Sequence, residues 1–433
     1  MKIKSLIHPE KFPFFYGYII AFIGTIGIWA SLPGQTVGVS TFTDPVMAAL
    51  HLTRDQFSWA YMIGTLLSSF ILTYAGKIYD KKGAPFTGAL SATLLGVTLL
   101  LCSTSDVISG FISQLTGFDH WSIPFSLMIL LFFLLRFSGQ GVLTMVSRNM
   151  VMKWFDKYRG RINAFTSVSV SLGFSASPIF IDMLIQNKGW SGAWQIMALS
   201  MLGIIALIVL FYKDNPEKYG LSTDGTQIKE NVNNNQEQTE VAFTLREARR
   251  TRAYWMYTLT LSFYSFFVTG LTFHVVSVFN TAGYTRPEAI SIFLPVSVIS
   301  VTCSLIANFI SDWIKLKILL YVMICGAFAA TIGLIGLNSG WGIYPLIGGA
   351  GVMGGLFAAL MSITWPRFFG RKHLGAISGN AMSMLVFASA LGPVIFSTSF
   401  TYLKTYEGVS WLSLVFLVVI TLGAIKANPP VKK

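Results

Sequence analysis

The chain is a succession of apolar runs of about 20 residues, separated by polar segments that are mostly short. About 20 apolar residues are what an α-helix needs to cross the hydrocarbon core of a bilayer. Charged residues make up only 11% of the 433, which excludes a soluble protein of this length. Twelve spans are predicted, at roughly 15–40, 56–76, 84–104, 125–150, 161–186, 191–212, 254–280, 287–311, 318–337, 342–365, 374–402 and 409–426. The sequence therefore predicts an all-α polytopic membrane protein with twelve transmembrane helices.

The basic residues predict its orientation. With the N-terminus placed in the cytoplasm, 26 of the 31 Lys and Arg residues fall in cytoplasmic segments and four in outward ones, while Arg136 lies inside a span. Such a bias is typical of cytoplasmic loops. It predicts that both termini are cytoplasmic, and it explains the net charge of +13 without a nucleic-acid partner. No Asn-x-Ser/Thr sequon occurs, which favours a bacterial inner (plasma) membrane.

A long cytoplasmic segment divides the chain between predicted spans 6 and 7. Its low-complexity stretch "KENVNNNQEQTE" predicts a flexible linker. Thr244 and Glu247, which follow it, have the spacing of a capping box and predict a short amphipathic helix on the inner surface. The predicted domains are an N-terminal six-helix bundle (1–213), a cytoplasmic linker (214–253) and a C-terminal six-helix bundle (254–433).

The two halves repeat each other. "RGRINAFTSVSVSLGFSASPIF" is similar to "LGAISGNAMSMLVFASALGPVIF", with Gly160 matching Gly375 at an offset of 215 residues. Asp80 in "GKIYDKKG" matches Asp312 in "FISDWIK" at an offset of 232. The difference predicts 17 extra residues between spans 3 and 4 of the first half. The repeat predicts two pseudo-symmetric six-helix bundles, a recurring transporter design.

These motifs resemble the major facilitator superfamily over essentially the whole chain. "GKIYDKKG" is similar to its G-x-x-x-D-R-x-G motif, with Gly76, Asp80 and Gly83 in place. A Gly-rich first span followed by "HLTRDQFS" is most similar to the monocarboxylate transporter and oxalate–formate antiporter branch. The resemblance implies alternating access. It also implies a gate in which Asp80 meets Arg371 or a helix terminus at the inner end of span 11 in one conformation and releases it in the other.

Arg136 is a guanidinium placed near the middle of predicted span 4. An arginine at this depth is costly and must face the bundle interior or an aqueous cavity. It either binds an anionic substrate, because its planar fork matches a carboxylate, or it holds spans 1 and 4 together through backbone carbonyls, Gln35 or Thr36. No acidic residue lies at this depth in any span to act as its counter-ion.

Further substrate-binding candidates lie on helices that line the cavity of the resembled fold. His274, the one histidine inside a span, is either a proton relay or an imidazole hydrogen-bonded between packed helices. The Pro33-Gly34 break in span 1 exposes backbone near two polar side chains. The remaining candidates are Gln35, Thr36, Tyr61, Tyr264, Ser265, Asn380 and Ser383.

The function predicted from these features is secondary transport. The chain has no P-loop and no cluster with metal-ligand spacing, so we expect no enzyme activity and no cofactor. One buried positive charge favours a small organic anion, a monocarboxylate, with protons as the coupling ion. A proton-coupled exporter of amphiphilic compounds is the alternative cargo class, and a receptor or structural membrane protein is the alternative to a carrier.

Overall fold

The computed structural model describes residues 7–117, 120–225 and 242–431, and the regular secondary structure in these ranges is helical. The predicted linker at 229–240 lies outside the described residues. Nine helices in the described ranges are long and apolar enough to cross a membrane. They are Asp55–Ser103, Ser122–Trp154, Arg159–Phe211, Arg252–Thr281, Pro287–Ile310, Leu316–Ser339, Ile343–Phe369, Leu374–Leu403 and Glu407–Ala424.

Two of these nine helices each contain two predicted spans joined by a turn. Helix Arg54–Ser103 has 50 residues and turns at Gly83 (φ 83°), and Arg159–Phe211 has 53 residues and turns at Gly189 (φ 70°). Both turns need a positive φ, which glycine adopts without steric cost. Each of these two helices supplies two predicted spans, and the apolar helix Gly17–Ala30 supplies the first. The described part of the chain thus accommodates the predicted twelve, in an all-α membrane fold.

Spans 1 and 4 are irregular near their centres. After Gly17–Ala30, span 1 passes through a 3₁₀ turn, Leu32–Gly34, into the short helix Thr36–Ser40. Span 4 runs as Ser122–Leu135, then as a π-helix over Arg136–Leu143, then as Thr144–Trp154. π-helical turns are rare and occur frequently at functional sites. Arg136 is the first residue of this turn.

Short helices occupy the connecting segments. Ser105–Thr116 lies between spans 3 and 4, where the repeat predicts extra residues. Leu245–Ala248 begins at the predicted capping box, in which Thr244 accepts from the Glu247 amide and Glu247 accepts from the Thr244 amide. The other short elements are Pro9–Lys11, Thr43–Leu50, Pro216–Tyr219, Thr223–Gly225 and Arg286–Ser291.

The chain forms two compact units. The first comprises the described residues of 1–156, 169–238 and 374–383, and the second those of 157–168, 239–373 and 384–433. Helix Leu374–Leu403 therefore gives its first ten residues to the first unit, and the start of Arg159–Phe211 belongs to the second. The division into 1–213, 214–253 and 254–433 stays a prediction.

Candidate functional site

Arg136 lies in the first unit with a side chain that is almost fully buried (1% exposed). Its Nη1 donates to the carbonyl of Gly34 and to the hydroxyl of Thr36, each at 3.2 Å. Its Cζ lies 5.3 Å from the centre of the Tyr61 ring, and the Tyr61 hydroxyl lies 2.9 Å from that of Thr36. The structure therefore brings together three of the predicted site residues, Arg136, Thr36 and Tyr61.

A close backbone crossing positions the Gly34 carbonyl for this contact. A Cβ on Gly34 would lie 2.3 Å from the carbonyl oxygen of Leu135, and one on Gly139 would lie 2.8 Å from the Cα of Gly34. Real Cβ atoms do not approach other atoms so closely, so both positions require glycine. The broken span 1 and the π-helical turn of span 4 therefore meet backbone to backbone beside Arg136.

The guanidinium keeps donors that the described residues do not use. An arginine has five N–H groups, and both hydrogen bonds of Arg136 come from Nη1. Nε is buried without an acceptor in the described part of the chain, and the amide oxygen of Gln140 one turn later is buried there without a donor. The two acceptors are the Gly34 carbonyl and the Thr36 hydroxyl, which are the kinds of group predicted if Arg136 holds spans 1 and 4 together. Neither acceptor is charged, so neither neutralises the guanidinium.

Gln35 belongs to a neighbouring polar cluster. Its Nε2 donates to the hydroxyls of Ser31 (3.0 Å) and Thr144 (3.2 Å), and the Thr144 hydroxyl donates to that of Ser31 at 2.9 Å. Neither Ser31 nor Thr144 was predicted from the sequence. Serine and threonine are too common in the interiors of membrane helices for either position to stand out.

Asn380 and Ser383 are also in the first unit, where each contacts helix Arg54–Ser103. Asn380 Nδ2 donates to the hydroxyl of Thr73 at 3.0 Å, and the Ser383 hydroxyl donates to the carbonyl of Ser69. Both therefore tie the start of helix Leu374–Leu403 to span 2. Their role in substrate binding stays a prediction.

Two of the predicted gate residues, Asp80 and Gly76, lie at the same helix start. The Asp80 carboxylate accepts from the amides of Gly375 and Ala376, each at 2.7 Å, in the first turn of Leu374–Leu403. The first amides of a helix lack intrahelical acceptors and carry partial positive charge, so a carboxylate is a matching cap. A Cβ on Gly76 would lie 2.0 Å from the carbonyl oxygen of Gly375. The helix terminus, one of the two predicted partners of Asp80, is bonded here, and the role of Arg371 stays a prediction.

Gly83, the third gate residue, turns the chain beside a buried ion pair. A Cβ on Gly83 would lie 3.3 Å from Cγ of Asp214. Asp214 accepts from Lys153 Nζ at 3.1 Å and from Lys218 Nζ at 2.9 Å. Burial raises the pKa of Asp214, but the two lysines outweigh it and bring the pKa below its usual value. This pair was not predicted from the sequence, because Lys153 and Asp214 are 61 residues apart.

The second unit repeats the Asp80 contact. Asp312 Oδ1 accepts from the amide of Gly160 at 3.0 Å, in the first turn of helix Arg159–Phe211. A Cβ on Gly160 would lie 2.0 Å from the carbonyl oxygen of Asn308. Burial raises the pKa of Asp312, while hydrogen bonds from the Gly160 and Arg161 amides lower it. The two aspartates that the repeat pairs thus cap the two glycines that it pairs.

The other candidates lie in the second unit. The Tyr264 ring stacks on Phe357 with centroids 4.4 Å apart, and Ser265 beside it is half-buried. His274 Nε2 lies 3.0 Å from the carbonyl oxygen of Pro393, and its ring is parallel to that of Phe396. Because a carbonyl only accepts, Nε2 carries the proton in this contact. This is the arrangement of an imidazole packed between helices.

Among the described residues, no group of three or more His, Cys, Asp or Glu side chains could hold a metal ion. The polar groups described in the first unit are the buried Arg136, a set of hydroxyls, the Asp80 carboxylate at a helix start and the Lys153–Asp214 ion pair.

Comparison with known proteins gives a consistent family and fold. The family model described as "Major Facilitator Superfamily" matches residues 14–393. No curated protein sequence matches the chain. Solved structures do, at low identity. A proton:xylose symporter, XylE, bound to 6-bromo-6-deoxy-D-glucose has 15% identity and a TM-score of 0.64, with 96% of this chain and 97% of that chain covered.

Two further structures cover similar shares of both chains. A bacterial homologue of the iron transporter ferroportin has 12% identity and a TM-score of 0.66, covering 94% of this chain and 98% of its own. The human organic anion transporter MFSD10 has 12% identity and a TM-score of 0.58, covering 95% and 99%. At these identities the likeness shows the fold.

Proposed function

Because the chain belongs to the Major Facilitator Superfamily, whose members are transporters, we propose that it carries a small organic anion, a monocarboxylate, across the membrane by secondary transport. Arg136 is the proposed anion-binding group. The observation that carries this proposal is a buried guanidinium whose Nε lacks an acceptor in the described chain and whose two hydrogen-bond partners are uncharged. A buried charge of this kind favours a ligand of opposite charge.

The carboxylate reaches Arg136 only after a local movement, because the side chain is 1% exposed. Thr36 and Tyr61 are half-buried and share a hydrogen bond beside the guanidinium. In the proposed mechanism these two side chains move away from the guanidinium. Thr36 releases Nη1 of Arg136, and the substrate carboxylate then accepts from Nη1 and from the unused Nε and Nη2 donors. A bidentate pair of this kind is stronger than the single bond to a hydroxyl that it replaces.

We further propose that protons are the coupling ion, each proton crossing the membrane together with the carboxylate that is bound to Arg136. In this scheme Asp80 is the gate: its bonds to Gly375 and Ala376 form in one conformation and break in the other.

Counterflow in proteoliposomes containing the full chain tests the carrier and its cargo together. Vesicles loaded with unlabelled formate, lactate, pyruvate or oxalate are diluted into the labelled compound. We expect transient accumulation of at least one monocarboxylate by the wild type and none by Arg136→Gln. Arg148→Gln is the matched control, since Arg148 lies three turns further along the same span and is also partly buried.

The outcomes separate the two roles of Arg136. Full counterflow by Arg136→Gln contradicts the anion site and leaves Arg136 as a tie between spans 1 and 4. Equal loss in the Arg136 and Arg148 variants also contradicts a specific role. If only hydrophobic cations exchange, the alternative of an exporter of amphiphilic compounds replaces the anion carrier.

A further inference from the structure

A basic segment leads into helix Arg252–Thr281 in the second unit. This basic segment, residues 243–255, reads "FTLREARRTRAYW" and contains four arginines and one acidic residue. The four arginine side chains are all exposed: Arg246, Arg249, Arg250 and Arg252. Except for Arg249, they form no hydrogen bond or ion pair with the residues that the structure describes. Positive charge is therefore concentrated at the point where a membrane-spanning helix begins.

The backbone of the basic segment is held at both of its ends. The amide of Phe243 donates to the carbonyl of Phe369 at 3.0 Å, and the two rings meet edge to face with their centroids 5.6 Å apart. At the other end, Trp255 Nε1 donates to the carbonyl of Arg249 at 2.7 Å. Ala248, between them, is fully buried. A fixed backbone lowers the ordering cost when several of its side chains bind one ligand.

The charge of the basic segment favours an anion with several oxygen acceptors. The carboxylate of Glu247, its one acidic residue, accepts from the amide and the hydroxyl of Thr244 at 2.6 and 2.8 Å and closes the capping box. One carboxylate cannot neutralise four arginines. Guanidinium groups pair with phosphate through two parallel hydrogen bonds, so a phosphate is a matching ligand.

An apolar surface lies beside the start of this helix. The last helix of the chain packs against it so closely that a Cβ on Gly423 would lie 2.2 Å from Sδ of Met256. Next to this contact, Leu422 is 63% exposed and Ile425 is 56% exposed. Exposed aliphatic side chains of a membrane protein face acyl chains, and tryptophans such as the half-buried Trp255 concentrate at the level of the headgroups. The arginines therefore lie where lipid phosphates are found.

We propose that the basic segment binds the phosphate of an anionic phospholipid such as phosphatidylglycerol. Arg246, Arg250 and Arg252 supply the donors, and the acyl chains lie against Leu422 and Ile425. Juxtamembrane clusters of basic residues attract anionic lipids. Phosphatidylcholine carries a cationic choline beside the same phosphate, which the arginines repel. A soluble acidic partner would not use the apolar surface next to the segment. The site is independent of the proposed anion transport.

Native mass spectrometry of the full chain measures this binding directly. The protein in detergent is titrated with phosphatidylglycerol or with phosphatidylcholine of the same acyl chains. We expect phosphatidylglycerol to bind at least about tenfold more tightly, because each basic residue near an anionic headgroup contributes about a fivefold factor. The variant Arg250→Gln/Arg252→Gln should lower the affinity for phosphatidylglycerol about tenfold or more and leave that for phosphatidylcholine unchanged.

Lys188→Gln/Lys404→Gln is the matched control, because it removes the same charge from two exposed side chains outside the basic segment. Lys188 precedes the turn at Gly189, and Lys404 follows helix Leu374–Leu403. Its affinity for phosphatidylglycerol should stay within about twofold of the wild type. Gel filtration of each variant establishes that it is folded.

An equal loss of affinity in both double variants contradicts the site, because net charge alone would then explain the binding. Equal affinity of the wild type for the two lipids contradicts recognition of the headgroup. If glycerol 3-phosphate displaces phosphatidylglycerol at equal concentration, the ligand is a soluble phosphate and the lipid site is overturned. If polyglutamate binds the wild type but not Arg250→Gln/Arg252→Gln, and phosphatidylglycerol does not displace it, the segment recognises an acidic protein instead.

Discussion

The carboxylate of Asp80 accepts a hydrogen bond from the amide of Gly375 at 2.7 Å, although 295 residues separate the two in the chain. The second oxygen accepts from Ala376 at the same distance, so the carboxylate caps the first turn of helix Leu374–Leu403. Both partners are backbone groups, which makes the contact depend on the glycine-lined approach at Gly76 more than on any side chain of the helix.

Asp80→Ala should expose these two amides to solvent exchange. The first amides of a helix have no acceptor within the helix, so without the carboxylate they have no replacement partner. We expect hydrogen–deuterium exchange at Gly375 and Ala376 to accelerate at least about tenfold. Asp80→Asn, which keeps one oxygen acceptor, should give a smaller increase and should slow transport turnover more than it weakens substrate binding.

Asp312→Ala is the matched comparison, because Asp312 caps Gly160 in the same way. It should accelerate exchange at Gly160 and leave Gly375 unchanged. If each variant raises exchange at both glycines, the change is a general loosening and not the loss of one cap. A weakened KM with normal turnover in Asp80→Asn would contradict the gate.

The caps were partly predictable because both the aspartates and the glycines recur at fixed offsets, which a single sequence displays. Hydropathy predicted the spans for a similar reason: the bilayer imposes one length on all of them. Neither signal reports how far a helix is rotated about its axis. Gln35 was therefore predicted as a possible partner of Arg136, whereas it bonds to Ser31 and Thr144, and nothing in the sequence indicated that Asn380 bonds to Thr73.

Gly76→Ala should prevent the Asp80 cap from forming. The added Cβ would lie 2.0 Å from the Gly375 carbonyl oxygen, a backbone atom that cannot rotate away. We expect a lower melting temperature in detergent and faster exchange at Gly375. Gly203→Ala is the control, since a Cβ there meets nothing within 4 Å and alanine is the better helix former. Equal behaviour of the two variants would show that the close approach is unimportant.

Asp214→Asn should destabilise the protein in a pH-dependent way. The folded pKa of Asp214 lies below its unfolded value, so the stabilisation is complete above about pH 4 and is lost as the pH falls through the folded pKa. We expect a loss of about 3 kcal/mol at pH 7, because Lys153 is also buried, and a smaller difference from wild type at pH 3.

Lys218→Ala provides the contrast for this ion pair. Lys218 also bonds Asp214, but its side chain is 60% exposed, and exposed pairs contribute little. The melting temperature of the Lys218→Ala variant should stay close to that of the wild type. Chemical denaturation of the three proteins at both pH values gives the comparison, and a deficit in Asp214→Asn that is the same at pH 7 and pH 3 would contradict the assignment.

His274→Gln should leave the transport rate and its pH profile within about twofold of the wild type between about pH 5 and 8. The structure gives His274 one hydrogen bond, to the carbonyl of Pro393, and a glutamine amide can donate the same bond. His274→Phe removes the donor and should lower stability instead. Loss of the pH dependence in His274→Gln, with normal expression, would establish the proton relay.

Thr36→Val distinguishes the two roles of Arg136 most directly. The Thr36 oxygen is one of the two acceptors of the guanidinium, and valine has the same shape without it. If a substrate carboxylate binds Arg136, it must displace this hydroxyl, so its removal should lower KM about three- to tenfold, corresponding to one hydrogen bond. If Arg136 only ties the spans together, the same change removes half of its bonds and should lower the melting temperature without tighter binding.

Thr41→Val is the control, because the Thr41 hydroxyl bonds only the carbonyl of Gly38 on its own segment. Uptake kinetics and melting curves of the two valine variants therefore distinguish an Arg136 that binds the substrate carboxylate from one that only holds spans 1 and 4 together.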